Sequence, residues 1–115
     1  MDRNEVIQCY ERAVAPHDGI EIKGAKSANT AINGNMFSFI DDANRLCLRF
    51  SEERKTEFNK AHGTSDVIQY GAVMRGYVSL PDKVIGDDDA LQKLLGESLE
   101  FAKSLKPKPT KRRKA

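Results

Sequence analysis

The chain of 115 residues carries 31% charged and 39% hydrophobic side chains, no tryptophan, and a formal net charge of +2. This length fits one domain that buries roughly two-thirds of its unfolded surface around a single core. No apolar run approaches the roughly 18 residues of a membrane span, and the charged start Met1-Asp2-Arg3-Asn4-Glu5 lacks the apolar stretch of a signal peptide, so a cytoplasmic protein without a membrane partner is expected.

Read in chain order, Val6, Cys9, Tyr10, Ala13 and Val14 recur at helical spacing. Asp2 is placed to cap this helix and Pro16 to stop it. Ile20 and Ile22 alternate with charges and suggest a short extended arm, followed by a second extended piece over residues 27–32. Asn33-Gly34 is the strongest local signal, because both residues tolerate the positive φ of a type I′ hairpin turn. Residues 35–40 form the next strand, with Phe37 and Phe39 expected on one face and Met36, Ser38 and Ile40 on the other. A strand apolar on both faces is expected to be interior and covered on both sides. Asp41-Asp42-Ala43-Asn44 reads as a turn, and residues 45–50 as a strand with Leu46, Leu48 and Phe50 on one face.

Ser51 is placed to cap a helix from Glu52 to about Ala61, ended by His62-Gly63. Residues 67–70 and 74–80 read as two further strands joined near Gly71, the second ended by Pro81. Gly86-Asp87-Asp88-Asp89 precedes a last helix whose Leu91, Leu94, Leu95, Leu99, Ala102 and Leu105 form one apolar stripe. Gly96 inside that helix costs about 1 kcal/mol against alanine, so a close packing contact is expected there. The order is helix, three strands, helix, two strands, helix, an α+β layout.

The charge divides unevenly. Six of the 19 basic residues and none of the 17 acidic ones lie in residues 106–115, so residues 1–105 carry a net charge of −4. Two domains of different kind follow: a folded body over 1–105 and a disordered, basic Lys/Pro tail over 106–115. Lys106, Lys108, Lys111, Arg112, Arg113 and Lys114 are candidate nucleic-acid-binding residues that would neutralise phosphates without reading sequence, with a log–log salt slope of roughly −5 if all six engage. No aromatic residue interleaves them, so base stacking is absent from the tail. A solubilising tail is the plainer reading. The run Pro109 to Lys114 also matches the loose pattern of a nuclear import signal.

The remaining chemistry-bearing residues have structural readings. Cys9 and Cys47 form no C-x-x-C and read as small buried hydrophobes. Asp87-Asp88-Asp89 lacks the spaced oxygens of a calcium loop and suits a helix start. His17 and His62 fall at helix ends and begin no metal-ligand spacing. Gly71 to Gly76 matches a phosphate-binding loop until Tyr77-Val78 replace the required Lys and Ser/Thr, and G-x-S-x-G is absent. No catalytic residue, cofactor site or metal site is therefore assigned, and a non-enzymatic protein is expected. A small enzyme would need His17 or His62 beside a carboxylate or thiol in a concave site.

At Lys23-Gly24-Ala25-Lys26, Asn33-Gly34-Asn35-Met36-Phe37-Ser38-Phe39 and Leu46-Cys47-Leu48-Arg49-Phe50 the chain resembles the TfoX/Sxy N-terminal domain family. Glu53-Arg54, Phe58, the run from Tyr70-Gly71 to Met74, Gly76-Tyr77-Val78, Pro81 and the ending Ser98 to Pro107 extend the likeness over residues 4–108. The resemblance implies an α-β(3)-α-β(2)-α two-layer sandwich with an antiparallel sheet, similar to secretion-chaperone-like folds. It implies an interaction or regulatory module with no established enzymatic activity, whose named members regulate natural competence. Full-length regulators carry a second, helical C-terminal domain, and this chain is expected to be a short stand-alone member without it. The partner implied is another protein, a second copy included, since the fold resembles dimer-forming chaperones.

Overall fold

The computed structural model describes residues 1–24, 28–69 and 71–107. Its elements run α1 (Arg3–Val14), β1 (Asn29–Ile32), β2 (Asn35–Ile40), β3 (Leu46–Arg49), α2 (Glu52–His62), β4 (Ile68–Gln69), β5 (Ala72–Val73), β6 (Tyr77–Ser79), α3 (Asp82–Ile85) and α4 (Asp88–Ser104). A four-stranded antiparallel sheet has the order β1-β2-β3-β6, and β4 pairs with β5 in a separate two-stranded hairpin. The fold class is α+β, as the element pattern implied.

Local chemistry sets the element ends. Asp2 and Glu5 close a reciprocal capping box on α1: the Asp2 carboxylate accepts from Glu5 N, and the Glu5 carboxylate from Asp2 N, both at 2.9 Å. Ser51 caps α2 and Asp87 caps α4. Asn33 (φ 54°) and Gly34 (φ 78°) both hold the positive φ of the expected hairpin turn between β1 and β2.

The larger core lies between one sheet face and the helices. Val6, Tyr10 and Val14 of α1 meet Leu46, Leu48 and Phe50 around β3 and Leu91, Leu95 and Leu99 of α4. Leu46, Leu48 and Phe50 share the face expected of them. The opposite face carries a small second cluster of Phe39, Cys47, Val67 and Tyr77, flanked by Met36 and Met74. The hairpin segment supplies Val67 and Met74 to this cluster, so β2 is interior and covered on both sides.

Two expectations are corrected. Phe37 and Phe39 do not share a face. The β1–β2 register shifts between Thr30 and Ala31, which pair with Ser38 and Met36 and leave Phe37 unpartnered. This bulge interrupts the two-residue alternation. Phe37 joins Ile40 in the larger core, and Phe39 joins Met36 on the other face. Ser98 of α4 stabilises the bulge from above: its hydroxyl lies 3.0 Å from the Phe37 carbonyl and 2.6 Å from the Arg49 carbonyl, one proton shared between two acceptors.

The second correction concerns residues 67–80. The chain turns at Gly71 (φ 78°) and again before Tyr77, where Gly76 has φ 82°. The first turn folds β5 back on β4, and Met74 N donates to Val67 O at 2.8 Å. Only Tyr77–Ser79 enters the main sheet. A short helix, α3, follows Pro81 where a plain connection was expected.

Candidate interaction site at the hairpin

Most residues singled out in the sequence take structural roles. Cys9 and Cys47 are free and buried. Burial raises the Cys47 thiol pKa, and the Asp41 charge adds to the rise, so this sulfur stays protonated and unreactive. Asp41 itself is buried at a turn, where its carboxylate accepts from Ala43 N and Arg45 N at 2.9 Å and pairs with the Arg45 guanidinium at 3.1 Å. Asp87 accepts from Ala90 N at 3.2 Å, and Asp88 pairs with Arg12 at 3.2 Å, which accounts for two of the three consecutive acids.

His62 ends α2 with its ring stacked 4.3 Å from that of Phe58. His17 follows α1 and lies over Gly96 of α4, with its Nε2 atom buried and without a hydrogen-bond partner among the described residues. A methyl group at Gly96 would stand 3.6 Å from His17 Cε1, an ordinary contact, so the glycine is not enforced by crowding. The segment 71–76 holds β5 between two glycine turns and opens no helix, in line with its failed phosphate-loop pattern. Among the described residues, no group of three or more His, Cys, Asp or Glu side chains gathers to hold a metal ion. Of the candidate tail residues, Lys106 is exposed and its carbonyl accepts from Asn35 Nδ2 at 3.2 Å. Lys108, Lys111, Arg112, Arg113 and Lys114 lie outside the described residues, as do Ala25, Lys26, Ser27 and Tyr70.

The structure instead draws attention to the β4–β5 hairpin. Ile68 and Val73 face each other across it. They are 60% and 52% exposed, and Met1 is the other large hydrophobic side chain left open among the described residues. Scattered single exposures are normal, but a cross-strand apolar pair forms a patch. Val73 also lines an open cleft of about 580 Å³ shared with Glu52, Lys55, Asp66 and Arg75.

Charge in this cleft is arranged unevenly. Lys55 lays its stem against the fold and keeps a side-chain exposure of 9%, with its ammonium 3.0 Å from Asp66. These two charges offset each other. Glu52 and Arg75 line the same cleft, and the side chain of neither has an ion-pair or hydrogen-bond partner among the described residues. Beneath the hairpin, Tyr77 donates to Met36 O at 2.8 Å and meets Phe39 edge-on at 5.1 Å. Burial pushes the Tyr77 phenol pKa up to about 12.

Sequence reading missed this site because nothing distinguishes Ile68 and Val73 from core strand residues. The available signal was the glycine pair Gly71 and Gly76, which brackets a segment too short to span the sheet.

A family model described as the TfoX N-terminal domain matches residues 29–102. The match takes in the hairpin, the cleft and all strands of the sheet, and is shorter than the likeness read over residues 4–108. No curated protein and no solved structure matches the chain.

Proposed function

Because this chain belongs to the TfoX N-terminal domain family, we propose that it is a non-enzymatic interaction module of cytoplasmic, regulatory type that holds a protein partner on its β4–β5 hairpin. The observation that carries this reading is the exposed Ile68–Val73 pair beside a charged cleft. Apolar area at the centre and polar groups at the rim is the anatomy of a protein contact. The family is not a known enzyme family, and the two imidazoles here have no carboxylate or thiol partner among the described residues. No helix among the described residues is long and apolar enough to cross a membrane. A role beside the competence regulators belongs to the same proposal.

The test is affinity capture from native lysate with the intact chain and with Val73→Asp. Partners lost specifically with the variant support the reading. Identical captures, or a chain that neither captures a protein nor associates with itself, overturn it.

A second reading is supported by the charge layout alone: six basic residues in the last ten, against a body of net −4. Such a tail binds nucleic acid through phosphate neutralisation. Truncation after Leu105 should abolish binding to a nonspecific duplex at low salt. Binding that survives truncation undiminished removes this reading.

A further inference from the structure

We propose that the partner seated on the hairpin is a second copy of this chain, related by a two-fold axis, with Ile68 and Val73 at the centre and Glu52 of each copy paired with Arg75 of the other. The proposal deepens the interaction-module reading and rests on it.

The argument starts from the two charges left over in the cleft. Lys55 and Asp66 pair with each other, at 3.0 Å, and present no net charge to a partner. Glu52 and Arg75 have opposite signs, line the same cleft, and are both unpaired among the described residues. A partner surface of one sign would match one of them and repel the other. A two-fold contact places each patch against its own copy, so that residue i meets residue j and j meets i. A patch with one unpaired acid, one unpaired base and an apolar pair is complementary to itself: each Glu52 finds an Arg75, and the apolar side chains find one another. Val73 belongs to both the apolar pair and the cleft wall, which makes the patch continuous.

The hairpin's small size points the same way. Each of its strands has only two residues. Isolated two-stranded hairpins are marginal in water and gain stability from further packing. Its inner side rests on Val67 and Met74, while the Ile68–Val73 pair on the exposed side lacks cover. A second copy supplies that cover.

The experiment is sedimentation of the full chain over a wide concentration range, with charge-exchange variants. The wild type is expected to show a monomer–dimer equilibrium. Glu52→Arg and Arg75→Glu each set like charges across the axis and should weaken the dimer by about tenfold or more. Mixing the two single variants should restore association, because every contact in the mixed dimer is then between opposite charges. The double variant should also self-associate. Both positions are exposed, so a wild-type circular dichroism spectrum and cooperative urea unfolding serve as the folding control.

A wild type that stays monomeric at every concentration overturns the proposal. So does a dimer that neither single variant weakens, or one that mixing fails to restore. The failures of the two readings are distinguishable. A monomer that still loses a captured protein with Val73→Asp removes the second copy and leaves the interaction module standing. A monomer with no such loss removes both.

Discussion

The two faces of the four-stranded sheet are built to different standards. The helix side packs three strands against α1, α2, α3 and α4 and contains Phe37, Leu48, Leu91 and Leu95, all at most 1% exposed. The hairpin side has four buried residues, two half-buried methionines and an apolar pair open to solvent. One face therefore supplies most of the stability, and the other keeps surface available for contact. The lesson is that stability and association separate by sheet face in this fold, so mutations can address them one at a time.

The sharpest way to break that comparison is truncation in each cluster. Phe37→Ala, on the helix side, should cost about 3–5 kcal/mol of unfolding free energy. Val67→Ala, beneath the hairpin, should cost less, about 1–2 kcal/mol. Urea titration of both variants checks this, and equal losses would erase the contrast.

Alkaline pH probes both faces at once. Burial raises the phenol pKa of Tyr10 on the helix side, and of Tyr77 on the hairpin side, from 10 to about 12. Folding thus favours the neutral phenols. Their contribution is complete below pH 10 and declines as pH rises toward 12, because the unfolded chain releases these protons first. Each tyrosine accounts for about 2–3 kcal/mol over that window. Denaturant midpoints measured from pH 9 to 12 should fall accordingly, and Tyr10→Phe and Tyr77→Phe should each flatten the curve.

Ser98→Ala removes the hydroxyl that serves the Phe37 and Arg49 carbonyls and should cost about 1–3 kcal/mol. A smaller effect of opposite sign is expected at Gly96. Alanine there meets His17 only at ordinary contact distance and should stabilise the helix by about 1 kcal/mol. Unchanged or lowered thermal stability would show that His17 needs the space. The least change in stability is expected from Val73→Asp, within about 0.5 kcal/mol as for an open surface position. Association should nevertheless fail in that variant. Loss of folding instead would mean that the hairpin belongs to the core.

Much of the helix side was legible in the chain. The apolar spacing of Val6 to Val14 and the stripe from Leu91 to Ala102 both became buried helix faces. The site was not legible. Val67 and Ile68 are adjacent apolar residues of equal strand propensity, yet the first is 1% exposed and the second 60%. Their difference comes from alternation on a hairpin whose position over the sheet is set by Val67 and Met74 packing on Tyr77 and Phe39. Lys55 gave no warning either, since its burial depends on Asp66 in a loop eleven positions away.

Chain-local chemistry set the helix caps at Asp2 and Ser51, the Asn33-Gly34 turn and the three long helices, and composition set the contrast between an acidic 1–105 and a basic 106–115. Those features depend on groups within about four positions of each other, or on composition alone. Packing between distant segments settled instead that Phe37 and Phe39 face opposite ways, that β4 and β5 stand outside the main sheet, and that Glu52 and Arg75 line one cleft. Each of these depends on register or packing against a segment distant in the chain, where the energy lies in contacts that no local pattern encodes.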